Sequence, residues 1–166
     1  MTLPAATPTP PTAADRALLG FANSAELAAR DLYAVAASLP AFGKEEQTML
    51  IGFHDHHLAA GQALAGLVGK DASNVREDAV YNAFRGKVAG TNKSAILDAL
   101  RELENTLVST HLSLVGTLEG TEGSALVASI LSVQARHAAA LALLGGRTIT
   151  DALTTQAAPL APETAS

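Results

Sequence analysis

The sequence predicts an all-helical protein, an antiparallel four-helix bundle with a long crossover between its second and third helices. Four segments carry apolar residues at alternating steps of three and four, which is the spacing of one face of an α-helix. The links between these segments are short, long and short in turn, so the helices pair two by two. The chain has 166 residues, 48% of them hydrophobic, enough for one domain with a buried core.

The first helix is predicted over residues 13–38. Thr12 and Asp15 resemble a capping box at its start, and Pro40 prevents it from continuing. A short link over residues 39–43 leads to the second helix, which runs to about Val68 and makes an antiparallel neighbour. The inward stripes are Leu19, Ala22, Glu26, Ala29 and Tyr33 in the first helix, and Leu50, His54, His57, Gly61 and Leu64 in the second.

The second helix pair follows a longer link, in which residues 75–87 are predicted to form a short helix. A helix of ~25 residues is ~37 Å long, and about ten extended residues at ~3.3 Å each plus a short helix reach roughly 50 Å. The link can therefore cross the whole bundle. The third helix is predicted over residues 94–118 and the fourth over residues 125–144, ended by glycines.

The inward stripes contain polar residues as well as apolar ones. A buried carboxylate loses its hydration, which costs on the order of several kcal/mol unless a partner or a cation compensates. The two acids in the stripes therefore indicate either a metal site or a buried hydrogen-bond network. The polar stripe residues able to bind a metal or a hydrogen-bond partner are Glu26, Tyr33, His54, His57, Glu104, His111, Gln134 and His137.

The two helix pairs also repeat one another in sequence. Glu26 is followed seven residues later by Tyr33, and Glu104 seven residues later by His111. The second helix of each pair then carries a matching spacing, His54-x-x-His57 and Gln134-x-x-His137. A duplicated two-helix unit would place both sets of polar side chains around one centre.

Composition excludes several classes of function. The formal net charge of −5 and the absence of basic runs exclude the usual electrostatic route to nucleic acid, and the absence of cysteine excludes thiolate metal sites. The most apolar stretch, residues 125–144, is interrupted by Gln134, Arg136 and His137, so no transmembrane segment is predicted. No nucleophile elbow, P-loop or dinucleotide fingerprint occurs.

The ends of the chain are predicted to lie outside the bundle of residues 13–146. Residues 1–12 form a flexible Pro/Thr leader and residues 147–166 a C-terminal tail. The start lacks the basic and apolar regions of a signal peptide. The chain as it stands suits a cytoplasmic protein, and a cell-envelope or secreted one if an upstream signal was removed.

The polar pattern resembles that of the ferritin-like superfamily, over about Ala13 to Gly146. The stretches LENTLVSTHLSLVGTLEG and ILSVQARHAAALALLGG are similar to a ferritin-like domain family of bacterial, often cell-envelope, proteins of poorly defined role. The resemblance implies two iron or manganese ions held by a Glu on the first and third helices and Glu-x-x-His on the others. It implies Glu26, His57, Glu104 and His137 as ligands and Tyr33 as a neighbouring tyrosine.

Two positions depart from that pattern, because His54 and Gln134 stand where the superfamily has glutamates. Two divalent cations would then face only two carboxylates, and neutral imidazole cannot bridge two ions. One Fe, Mn, Zn, Co or Cu ion is instead charge-balanced by Glu26 and Glu104. His54 and His111 are further candidate ligands, and Gln134 is predicted to support the ligands without binding the metal.

Two functions follow, and the sequence leaves both open. The first is a metal-binding protein with one ion in the bundle core, an oxidoreductase acting on oxygen, peroxide or ferrous ion. The second is a metal-free structural or partner-binding bundle that keeps its polar layer for helix register. The oligomeric state is also open, with a homodimer among the alternatives.

Overall fold

A computed structural model of the chain describes residues 7–154 and 157–162. Within these residues the protein is all-helical and has no strand, which confirms the predicted fold class at this level. A 3-10 turn, Gly69–Asp71, follows the second helix. The α-helices are α1 (Ala13–Ala37), α2 (Lys44–Val68), α3 (Asp78–Val88), α4 (Lys93–Thr117), α5 (Thr121–Leu144) and α6 (Ile149–Ala152).

Local capping explains where the helices begin. The predicted capping box of α1 is present, with the Thr12 hydroxyl accepting from the Asp15 amide at 3.1 Å and the Asp15 carboxylate accepting from the Thr12 amide at 2.9 Å. The predicted starts of α3 and α5 were wrong. Helix α3 begins at Asp78 because Glu77 caps it, and α5 begins one turn early, at Thr121, because Gly120 already serves as its N-cap.

Contacts along the long helices show that each pair is antiparallel. Moving up α1, Asn23 contacts Gly61 and Glu26 contacts His57, so α2 runs in the opposite direction. Gly61 permits this close approach, since a Cβ there would lie 3.3 Å from a Leu27 methyl group. In the other pair, Glu104 contacts His137. Further along α4, His111 contacts Gln134, which comes earlier in α5 than His137. The two helices therefore run in opposite directions.

The link between the pairs runs the length of the helices. It leaves α2 at Val68, yet Lys93, the first residue of α4, forms an ion pair with Glu46 in the first turn of α2. Helix α3 lies along this route and packs on both α1 and α4. Its inward residues are Val80, Phe84 and Val88, all buried.

The core has a polar layer between two apolar clusters. Along each long helix the polar residues occupy the middle, and apolar residues close the interior above and below the layer. One cluster includes Leu32, Leu50, Phe84, Leu100 and Leu107; the other includes Leu19, Leu64, Leu114 and Val127. The polar layer contains Glu26, His57, Glu104, His111, Gln134 and His137, none more than 4% exposed.

The described end segments contact the helices. The Thr9 amide donates to the Thr121 hydroxyl at 2.8 Å, and a Cβ on Gly120 would lie 2.7 Å from the Pro10 carbonyl oxygen. The Leu160 amide donates to the Thr110 hydroxyl at 2.9 Å. The division into leader, bundle and tail stays a prediction, and residues 1–6, 155–156 and 163–166 lie outside the described part.

Helix α5 has the length and composition of a membrane span, with a mean hydropathy of 1.5 over its most apolar window. Length and composition alone are weak indicators, because core helices of bundles share them. The inner face of α5 packs on α4 and carries Gln134 and His137. Among the described residues, α5 is the one helix with these properties, so no clear transmembrane segment emerges.

Candidate metal centre

Glu104 of α4 lies at the centre of the polar layer and is fully buried. Its Oε1 atom accepts a hydrogen bond from the Tyr33 hydroxyl at 2.5 Å. The same oxygen lies 3.0 Å from His57 Nε2 and 3.1 Å from His137 Nδ1. The other oxygen, Oε2, is buried and has no hydrogen-bond partner among the described residues.

His57 of α2 lies between the two buried carboxylates. Its Nδ1 is 2.8 Å from Glu26 Oε2 and its Nε2 is 3.0 Å from Glu104 Oε1. Burial disfavours a charged imidazole, but the negative charges of Glu104 and Glu26 prevail and raise the pKa of His57 to about 10. Burial likewise opposes ionisation of Glu104, yet His57 and the hydrogen bond from His137 lower its pKa to about 2. Without a metal, a protonated His57 donates one N–H to each of the two carboxylates.

Glu26 of α1 is held from its other side by an amide. Gln134 Nε2 donates to Glu26 Oε1 at 2.6 Å, and Gln134 Oε1 lies 2.9 Å from His111 Nδ1. An amide that donates to the acid and accepts from the imidazole fixes the orientation of both. His111 Nε2, 3.4 Å from Glu26 Oε1, is buried and makes no hydrogen bond within the described residues.

Tyr33 of α1 lies beside His57 and Glu104. Its ring stacks on His57 with centroids 5.2 Å apart, and its hydroxyl donates to Glu104. Burial, with the charges of Glu104 and Glu26, raises the pKa of Tyr33 well above its ordinary value. The phenol therefore stays a neutral donor to the carboxylate.

His56, which is not among the predicted ligands, lies at the edge of the centre. It is exposed, but its Nδ1 lies 2.9 Å from Nε2 of His137, with the two rings 7° from parallel. Burial and the neighbouring His137 lower the pKa of His56. Phe53 stacks on His137 with centroids 3.9 Å apart. A helix turns by about 100° per residue, so His56 lies one step round from His57 and faces α5; knowing which helix flanks α2 would have identified it.

His54, predicted as a candidate ligand, does not lie in the cluster. Its side chain is 28% exposed, and its Nδ1 lies 2.8 Å from Asp55 Oδ1. The other predicted ligands are all in the buried layer.

Three side chains bring metal-binding atoms close together. Ligand atoms of His57, Glu104 and His137 all lie within 4.8 Å of one another, and all three residues are buried. Two of the buried atoms that have no hydrogen-bond partner among the described residues, Glu104 Oε2 and His111 Nε2, lie in this layer. A carboxylate oxygen and an unprotonated imidazole nitrogen are both atoms that bind cations. Two imidazoles and a carboxylate suit a divalent transition metal.

A cleft between α2 and α5 leads from the surface to this layer. It has a volume of about 280 Å³, and its inner end is formed by buried residues of the centre. Its exposed polar lining residues are His56, Ser129 and Arg136. Its walls are small or apolar, formed by Ala59, Ala60, Ser129, Ile130 and Val133. The cleft gives small molecules a route to the buried histidines.

A family model described as a ferritin-like domain matches residues 14–147 of the chain. This match covers all four long helices and the link between the pairs. No curated protein and no solved structure matches the chain.

Proposed function

The chain belongs to the ferritin-like domain family, and we propose that it binds a single divalent transition-metal ion in the polar layer. The observation that carries this proposal is the buried group of His57, Glu104 and His137, whose ligand atoms lie within 4.8 Å of one another. Glu26 contacts the same His57 and supplies the second carboxylate. We assign these four side chains as the ligand set.

Charge supports one ion. Glu26 and Glu104 carry two negative charges, which balance one divalent cation once His57 loses the proton that makes it positively charged. His111 Nε2 lies near Glu26 and is a further candidate ligand. His54 is left out of the proposed set because it pairs with Asp55 at the surface.

The residues do not fit the two-metal centre of the superfamily. The side chains at the two departing positions are unsuitable bridges: His54 lies away from the layer, and the Gln134 amide donates to Glu26. A donating NH2 group occupies the side of Glu26 that a second cation would need. One ion is therefore the stoichiometry that the side chains favour.

We also propose that the four long helices form the antiparallel ferritin-like bundle predicted from the sequence, with residues 69–92 as the crossover. The antiparallel pairs α1–α2 and α4–α5 support this, as does the contact between Lys93 and Glu46. The contact from Tyr33 to Glu104 joins the pairs at mid-height.

Iron, manganese or copper in this position would supply one-electron chemistry with oxygen, peroxide or another small oxidant, whereas zinc would not. The chain itself supplies the route and the protection. The cleft admits only small molecules, the apolar clusters exclude bulk water, and Tyr33 holds Glu104 in place. We therefore propose an oxidoreductase acting on oxygen, peroxide or ferrous ion.

Metal content tests the proposal directly. The purified protein, stripped and reloaded with Fe, Mn, Zn or Cu, should hold one ion per chain by elemental analysis. Glu104→Ala and His137→Ala should each abolish binding, while His54→Ala, which changes a histidine of α2 outside the layer, should leave it unchanged. A wild-type protein that stays empty at micromolar metal would contradict the proposal.

A metal-free structural bundle is the second candidate, favoured by the hydrogen bonds that already join the polar side chains of the layer to one another. His57 joins both carboxylates, and Gln134 joins Glu26 to His111. The double variant Glu26→Gln with Glu104→Gln separates the two functions. Unchanged or higher stability, with no effect of metal on melting, would support the structural role; metal stabilisation of the wild type alone would support the metal site.

A further inference from the structure

The two ring nitrogens of His137 have different surroundings. Nδ1 is the atom that lies beside Glu104, on the side of the proposed ligands, at 3.1 Å. Nε2 lies 2.9 Å from Nδ1 of His56. A neutral imidazole has one proton, so a His137 that binds a cation through Nδ1 must carry its proton on Nε2. That N–H group would face His56.

We infer that His56 is a positioning residue of the metal centre, accepting the Nε2–H of His137 and so holding His137 in the tautomer that can bind the ion. The inference rests on the proposed function. Histidines that bind metals usually donate their second ring N–H to a fixed acceptor, and losing that acceptor weakens metal binding by roughly 10–100-fold.

The geometry around His137 supports this role. Within the described residues, His56 is the one hydrogen-bond partner of His137 Nε2. The two rings are 7° from parallel, and Phe53 packs against His137 as well, so the ring has little freedom to turn. Because His56 and His57 are adjacent on α2, this helix supplies both a ligand and the acceptor that orients a ligand on α5.

The same feature separates this chain from a centre built by the repeated pattern alone. In the other pair, Arg136 holds the place before His137 that His56 holds before His57. Arginine offers donors only and cannot accept from an imidazole N–H. The acceptor is therefore present on one side of the centre, which makes His137 the ligand whose orientation depends on it.

Cobalt(II) is a suitable probe, because its absorption spectrum reports the number and geometry of its ligands. Affinity and spectrum would be measured for the full chain and for His56→Ala, His56→Asn and His56→Phe. The Asn side chain restores an acceptor oxygen close to the position of His56 Nδ1, and Phe keeps an aromatic ring without an acceptor. His54→Ala is the matched control. Melting without metal checks that each variant is folded.

The Ala and Phe variants should raise the Kd for Co(II) by roughly 10–100-fold and alter its spectrum, while Asn recovers most of the affinity and His54→Ala matches the wild type. Wild-type affinity in both Ala and Phe would overturn the inference, as would Asn binding no better than Ala. If Ala alone fails to fold, the comparison of Phe with Asn decides. A wild type that binds no Co(II) would instead overturn the proposed function.

Discussion

The two helix pairs carry the same spacing of polar residues and use it differently. In α1–α2, Tyr33 and His57 both contact Glu104 of the other pair, and His54 turns to the surface. In α4–α5, the matching residues behave otherwise. His111 bonds to Gln134 within its own pair, and Gln134 occupies the inward position that matches His54.

This difference makes the centre asymmetric. Glu104 receives three contacts, from Tyr33, His57 and His137, whereas Glu26 is held by His57 and an amide. Glu104 is held mainly by side chains of the other pair, and Glu26 by one side chain from each pair, so the polar layer joins the two halves. A repeated spacing therefore does not by itself specify which residues meet, because His54 and Gln134 occupy matching positions and only Gln134 lies in the buried layer.

Glu104→Gln should be the most destabilising single change, because it removes the partner of a buried charged His57. Breaking a buried pair typically costs about 3–5 kcal/mol. Urea denaturation of the metal-free protein measures this loss, and Glu26→Gln should lose less, since Glu104 still accepts from His57. Equal losses for the two variants would mean that the centre is symmetric.

Gln134→Glu restores the superfamily residue and should sharpen the contrast between the halves. Without metal it places a second carboxylate next to Glu26 and removes the donor that holds it, at an expected cost of roughly 3 kcal/mol. With manganese the added carboxylate should instead raise affinity. Calorimetric melting with and without metal measures both effects; a variant that melts like the wild type in both conditions would contradict the assignment.

Tyr33→Phe tests the contact that crosses from α1 to α4. Removing a hydrogen bond to a charged group typically costs about 1.5–3 kcal/mol. Denaturation should show that loss, with metal still bound, because Tyr33 is not in the proposed ligand set. A variant as stable as the wild type would show that His57 and His137 suffice to hold Glu104.

Asp15→Asn should have the smallest effect, at the one end where α1 meets the α4–α5 turn. Amide N–H groups of Thr12, Glu119 and Gly120 lower the pKa of Asp15 to about 2 from 3.8. Because the pKa of Asp15 is lower in the folded state, its carboxylate stabilises the fold when the pH is above the pKa of the unfolded chain. This stabilisation disappears as the pH falls from about 4 towards 2. The variant should melt a few degrees lower than the wild type at pH 7 and show a shrinking difference below pH 4. A pH-independent difference would exclude this charge effect.

Much of the fold followed from the sequence, because period and capping act locally. The α1 capping box and the residues facing inward depend on neighbours within one or two turns. The start of α5 was predicted too late because the sequence EGTEGS contains several residues that favour a turn. In the structure the turn ends at Gly120, and the helix begins at Thr121.

The sequence indicated most of the residues that lie in the polar layer, but it did not show which residues at the edge of an inward face lie outside the layer. His54 and His57 both fit the inward stripe, but only the position of the neighbouring helices determines which edge of the stripe is buried. The contact of His56 with His137 and the cleft could not be predicted for the same reason, since both depend on the spacing of α2 and α5. These helices belong to different pairs, and no local pattern describes how far apart they lie.

The close contact between Pro10 and Gly120 requires a residue without a side chain at position 120, because a Cβ there would lie 2.7 Å from the Pro10 carbonyl oxygen. Any side chain at that glycine would collide with the backbone above it and lift the arm away, while the helices beneath kept their own hydrogen bonds. Gly120→Ala would thus separate residues 9 and 10 from the start of α5 without removing any part of the chain.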